Sequence, residues 1–544
     1  MKRAGRDRHP SVRRGPVWLA IALLFAPAAG RSSDVRVLRL AGPGDVLDID
    51  PHGQNEDQTN SVRGGIYEGL LCLSWDLSLE PCLAESWSQP DPVTWRFRLR
   101  RGVRFHDGTP FTADDVVYSF ARVRHPSSNM ASYLTSVKEV RRVDDHTVDV
   151  ITDGPDPILL RRLPYFFVIS SRWAQANGAA EPPSKVVSEG PTARRANGTG
   201  PFRLVERVPD TRIVLEANPD WWAWPTRTFN FSRLEYRPIA NAATRIAALL
   251  SGEVDLVYPV PPQDVARVRG TPGLKVQVGT DIRTMYLGFD HLRSESLDMP
   301  GSGKNPFQDV RVRRAVYQAI DIGAIHRKVM RGSSRPTGVL LGPGVNGYDA
   351  ALDVRLPYDP QAARRLLAEA GYPQGFPVTL DCTNDRYVND EAICQALVPM
   401  LSRIGIAVTL NAQTKNRIFE KIRANQTSLY MMGWVPGTTD VHDVLFNLAL
   451  RDDPAAGSWN CGRYRSGRLE ALSRRMAVEM DPARRQRLAS EAIRVLQEDV
   501  TYVPLHQQTV EWAMRDEVEV KLPLDGGKRL RLFRFAAQAA GTRK

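Results

Sequence analysis

Between Trp95 and Phe120, 26 residues spell out a complete strand, turn and helix, and such a unit limits the chain to folds that mix sheet with helix. Trp95, Phe97 and Leu99 alternate with arginines, the period-two pattern of a strand with one buried face. His106-Asp107-Gly108-Thr109-Pro110 carries turn chemistry, since Gly reaches positive φ and Pro presets the next bend. Thr112 followed by Asp115 predicts a capping box, opening a helix with Val116, Val117 and Phe120 on its inner face.

The same grammar recurs downstream. Asn241 and Gly252 bracket a helix that is followed by a buried strand, Asp255–Val260. After Pro306, Asp309 caps a helix with Val312, Ala315 and Val316 on one stripe. Asp359-Pro360 opens another that Gly371 stops, and Asp481-Pro482 opens the last long one. Strands are expected at Val35–Leu40, Thr284–Phe289, Val378–Cys382, Ile406–Leu410 and Tyr502–Leu505, and a helix through Val62, Ile66 and Leu70. Val518–Leu522 and Leu530–Phe535 are expected to rejoin the first sheet, and Pro182–Asn197 reads as a surface loop. At 544 residues the chain exceeds what one core serves, so the pattern implies two α/β lobes.

Six basic side chains precede an apolar run, Val17–Ala29, that ends in Ala28-Ala29-Gly30, the form of an export signal peptide over residues 1–30. The first cysteine is Cys72, so no lipid-bearing cysteine follows it. Setting those 30 residues aside lowers the net charge from +12 to about +7, and the remaining arginines are scattered among acids rather than gathered in a nucleic-acid stripe. The five cysteines permit bridges such as Cys72–Cys82 and Cys382–Cys394 without settling connectivity, and none forms a C-x-x-C pair.

L-x-x-G-V-x-F-H-D-G-T-P-F-T-A-D-D-V-V-Y-S, from Leu99 to Ser119, closely resembles a block of the extracytoplasmic solute-binding proteins of oligopeptide/dipeptide/nickel-type ABC importers, family 5. Y-E-G-L-L at Tyr67–Leu71, L-A-E-S-W at Leu83–Trp87, G-T-G-P-F at Gly198–Phe202, S-G-E-V-D at Ser251–Asp255 and D-V-R-V-R-R-A-V at Asp309–Val316 resemble the same family, in family order. The resemblance implies an α/β, two-lobed periplasmic binding protein fold with an inserted β-rich subdomain in the first lobe. Lobe 1 would comprise residues 31–70, the insert 71–197, then 198–285 and 511–544, and lobe 2 would span 286–510, with crossings near 280–290 and 505–515. It implies a periplasmic monomer that binds a peptide-like small solute and serves an ABC permease and ATPase complex, with no cofactor, nucleic acid or catalysis. Nickel-chelate, glutathione or other non-peptide binding, and a sensor or chaperone role without transport, stand as alternatives.

Chemistry motifs fail where tested. Gly301-Ser302-Gly303-Lys304 has Asp298 and Asn305 where a phosphate-binding loop needs Gly and Ser/Thr, and no G-x-S-x-G or H-E-x-x-H occurs. The richest binding stretch is Met432–Phe446, where Gly433, Pro436 and Gly437 shape a loop beside Trp434, with Asp440, His442 and Asp443 adding charge. Asp440 reads either as the partner of a ligand cation or as the cap of the following helix. Peptide-binding members carry W-x-x-D here, whereas Gly437 stands three residues after Trp434, and Asp440-Val441-His442 is similar to a D-P-H of nickel binders. Trp459 and Asn460, and Gln54 and Asn55 in the Gly53–Asn60 loop, are expected to face the cleft by family position, against readings as core and solvated loop.

Overall fold

The computed structural model describes residues 36–183, 190–451 and 456–537, and the expected signal peptide lies outside the described residues. An eleven-stranded sheet runs through the molecule. Two long antiparallel strands, Leu274–Phe289 and Tyr502–Arg515, form its centre. On one side lie Leu429–Trp434, Phe376–Thr383 and Ile406–Gln413. On the other lie Leu256–Val257, Val37–Gly42, Arg233–Pro238, Arg212–Ala217 and Phe202–Val208, and the short eleventh strand, Ser334–Pro336, pairs with Tyr502–Arg515 off this path. The two long strands lose register between Thr280 and Thr284, opposite Gln507 to Thr509.

Each half-sheet is covered as its periodicity demands. Along Thr284–Phe289, Met285, Leu287 and Phe289 enter one core with Val316, Leu380 and Leu397, while Tyr286 enters another with Tyr430, Leu445 and Ile493. Lobe 1 closes over Leu40, Ile66, Tyr236, Trp512 and Phe533. The long strands extend well beyond the short pieces that alternation marks. Gln277, Thr280, Gln507, Gln508 and Thr509 are polar and give no strand pattern, but each has a strand partner, and Gln507 is paired on both sides.

The inserted subdomain is a four-stranded antiparallel sheet in the order Ala84–Asp91, Thr94–Leu99, Thr147–Thr152, Val137–Asp144. The helix Ala113–Val123 covers it, and the Thr112/Asp115 capping box is formed. The core behind this sheet includes residues as far along the chain as Val168, while Ile169, Ala174 and Ala179 pack with Leu40, Ile66 and Phe202. Loop composition locates a loop, not the core that the residues before it join. At the other end of the chain, Val518–Val520 and Phe533–Phe535 pair with each other instead of rejoining the large sheet, and both pack into the core of lobe 1.

The first helix runs Asp57–Ile66 and stops a turn short of Leu70. Its last carbonyl accepts the Gly200 N–H at 2.9 Å, and a Cβ on Gly198 would stand 2.1 Å from that same oxygen. The Gly198-Thr199-Gly200 segment therefore crosses the helix end at a distance only glycine allows. Cys72 is bonded to Cys82 and Cys382 to Cys394, while Cys461 is buried and free. Among the described residues, no helix is long and apolar enough to cross a membrane.

Candidate functional site

Trp434 ends its strand directly opposite Thr284, beside the register break, so it stands where the lobes meet. The chain then loops through Val435–Thr439, with Thr439 at φ +51°, and Asp440 caps the helix Val441–Leu448 by accepting the His442 N–H at 2.8 Å. The Asp440 carboxylate is fully enclosed. It takes a bidentate pair from Arg485 at 2.8 and 2.9 Å and a third bond from Asn346 Nδ2 at 2.6 Å. With its oxygens engaged and its charge countered, Asp440 is built as cap and counter-ion, and a ligand cation finds no free acceptor there.

One turn further on, Asp443 is only half-buried, and Trp434 Nε1 donates to its Oδ1 at 2.9 Å. Backbone N–H groups of Gly437 and Thr438 also reach this carboxyl, yet burial outweighs them and lifts its pKa to about 6. The opposing wall comes from lobe 1. A Cβ on Gly437 would lie 3.5 Å from Tyr133 Oη and 3.6 Å from Asp443 Oδ2, so the three meet at one point. Asn55 Nδ2 donates to Tyr133 Oη at 3.3 Å, Asn55 Oδ1 accepts from Asn60 Nδ2 at 2.8 Å, and Tyr165 lies 5.9 Å from the Tyr133 ring.

The Asn55 loop is held rigidly from beneath. Arg122 forks onto Asp50 at 2.9 and 2.5 Å, and Arg63, wholly buried, donates to the Gln54 carbonyl. His52 accepts from Arg122 at 2.9 Å, and its burial beside that guanidinium drives its pKa down to about 3.

Beside Gly433, one residue before Trp434, the surroundings are more strongly charged. Tyr387 donates to the Gly433 carbonyl at 3.3 Å, and the guanidinium groups of Arg283 and Arg386 lie 5.8 and 5.4 Å from its ring. Arg283 pairs with Asp281 at 3.4 Å, whereas Arg386 makes no ion pair among the described residues. Arg386 feels Asp281 and, across the cleft, Asp57 at the start of the first helix of lobe 1. Asp57 is itself paired with Lys528, and Asp525 with Arg529 at 2.8 Å.

Of the residues expected from sequence, the structure brings Asn55 and Trp434 to this cleft and sets Trp459 6.3 Å behind Trp434, edge-on to Phe419 and under Arg423. Gln54 contributes its backbone to the loop, bonded to Asp48 and Arg63. Asn460 is consumed internally, donating to the Leu450 and Tyr464 carbonyls and accepting the Tyr464 N–H at 3.0 Å. His442 stacks on Phe446 at 5.4 Å, and burial lowers its pKa. Among the described residues no cluster of three or more His, Cys, Asp or Glu side chains could hold a metal. Sequence reasoning missed Tyr133, Tyr165, Arg386 and Tyr387, which lie in short helical turns and loops, and Arg283, within a central strand, where no motif marks them.

A model of the bacterial extracellular solute-binding proteins, family 5, matches residues 78–454, most of the folded chain. The chain belongs to this family. Heme-binding protein A of Haemophilus influenzae is 26% identical over 455 residues, 78% of each chain. Glutathione-binding protein GsiB of Escherichia coli (strain K12) is 24% identical over 504 residues, covering 91% of this chain and 93% of that one. In structure, the chain is similar to the periplasmic binding protein DppA of Helicobacter pylori in complex with the peptide STSA, with a TM-score of 0.73, 23% identity and coverage of 92% and 98%. This solute-binding protein therefore has the two-lobed fold of its family, and the cleft between its lobes is the family's place for a solute.

Proposed function

We propose that this family 5 protein is the periplasmic, substrate-binding component of an ABC importer, working as a monomer and releasing its solute unchanged to a permease and ATPase complex. Its ligand is a small peptide-like solute that carries both an amino group and carboxylate. One observation carries this reading: Asp443, bonded to Trp434, faces Tyr133, and Arg386, in no ion pair among the described residues, stands with Arg283 around Tyr387 beside the neighbouring Gly433.

The ammonium is placed against Asp443, in a partly dehydrated setting where a charged hydrogen bond gains strength. A carboxylate is placed on Arg386, whose fork suits bidentate recognition. Two guanidinium groups favour a solute with more than one acid group, as in the glutathione-type alternative. Trp434, Tyr133 and Tyr387 supply flat walls for the body of the solute. A micromolar ligand brings about 8 kcal/mol in all, and only its differential affinity for the closed state can draw the lobes together.

Mass spectrometry of the solute that co-purifies from the periplasm identifies the ligand, and calorimetry then measures its affinity for the protein and for Trp434→Ala, Asp443→Asn and Arg386→Ala. Each substitution is expected to weaken binding at least tenfold. Unchanged affinity in all three would remove this cleft as the binding site, and consumption of the solute would overturn the transport reading.

A further inference from the structure

Behind the 441–448 helix, on the side away from Asp443, lobe 2 contains a cavity of about 270 Å³. Val441, Val444 and Leu445 of that helix form one wall, Ile493 and Leu496 another, and the segment from Gly338 to Leu356 lies across it as a strap. No charged side chain lines it. Its polar side chains are already turned into the surrounding backbone. Gln497 donates to the carbonyls of Leu352 at 2.8 Å and Gly338 at 3.3 Å, the Tyr502 hydroxyl donates to the Leu448 carbonyl, and Tyr317 engages the Leu356 backbone.

A buried water needs two to four polar partners, and the Gln497 amide nitrogen and Tyr502 hydroxyl bordering this space are already engaged with backbone carbonyls. A void left dry costs its lining the dispersion contacts that a close-packed interior supplies. An apolar cavity of roughly 150 Å³ holds one benzene ring, and this one is nearly twice as large. It is also reachable, since Val354 at its rim is 68% exposed.

We propose that this cavity is a second binding site, separate from the solute cleft, that takes an uncharged aliphatic chain. The lining excludes a carboxylate or ammonium from the interior, because either would lie buried with no counter-charge. A free short-chain alcohol and the acyl tail of a lipid share this chemistry.

The test uses the mature protein and the fluorescent apolar probe N-phenyl-1-naphthylamine. One probe molecule per chain is expected to bind, and 1-decanol to displace it. Val444→Phe, which fills the cavity, and Ala351→Trp, which closes its exposed rim, are each expected to weaken probe binding at least tenfold. Trp434→Ala is expected to leave it unchanged, so that failure here and failure of the cleft reading remain distinct. Cosedimentation with phosphatidylcholine vesicles, lost in Ala351→Trp, would identify a lipid tail as the source; displacement by 1-decanol without cosedimentation would identify a free small molecule. The absence of saturable probe binding would overturn the proposal, as would binding that both cavity variants leave intact.

Discussion

Asp440 and Asp443 sit three residues apart on one helix, yet their carboxylates serve different ends. Asp440 is enclosed and met by Arg485 and Asn346, whereas Asp443 opens on the cleft with only neutral donors around it. Arg485→Ala would leave a carboxylate buried without its counter-ion and is expected to cost about 3–5 kcal/mol in chemical denaturation. Replacing both partners with hydrophobic residues of similar size, Asp440→Leu with Arg485→Met, is expected to recover most of that loss, because no orphan charge then remains. Asp443 predicts a pH profile. With its pKa raised to about 6, the carboxyl is charged above that pH and neutral below it. Affinity for a solute ammonium should therefore be flat near pH 7.5 and fall on acidification through pH 6. Calorimetry on Asp443→Asn should show a weaker affinity with that step removed; an unaltered step would assign the titration to another group.

At the scale of elements, helix ends obey local rules throughout. Asn241, Asp309, Asp359 and Asp481 each accept a first-turn N–H, and Gly252 closes its helix at φ +83°. Local rules do not reveal which turns are crowded. Gly371 has φ +89° with open space where a Cβ would go, whereas Gly375 has φ +74° and its Cβ would stand 1.8 Å from the Gly405 carbonyl. Gly371→Ala is expected to cost about 1–2 kcal/mol, the price of the left-handed conformation alone. Gly375→Ala should cost at least twice as much, since the backbone of a neighbouring turn must also shift. Equal midpoint shifts in urea would show that this turn yields freely.

At the scale of the molecule, closure turns on two strands that belong to both lobes. We propose that the register break at Thr280–Thr284, opposite Gln507–Thr509, is where the shared sheet flexes. Tyr133 of the insert comes close to Gly437 and Asp443. Small-angle scattering is expected to show a smaller radius of gyration with the co-purifying solute than after its removal. An identical envelope in both states would rule out lobe closure as the signal to a permease.

Fold class, capped helices and the aromatic face at Trp434 could be read from the chain because each depends on neighbours within a turn or two. Thr112 with Asp115, Asp359 before Pro360, and Trp434 among Gly433, Pro436 and Gly437 are such cases. The fate of Asp440 could not be read this way, since Arg485 lies 45 residues away and becomes its neighbour only through packing. The same holds for Tyr133, brought to Asp443 from another part of the chain, and for the polar stretches of the two long strands, which pair with each other more than 200 residues apart. Local propensity and periodicity are written in the chain; charge pairing, desolvation and the meeting of two walls arise only when distant segments exclude water from between them.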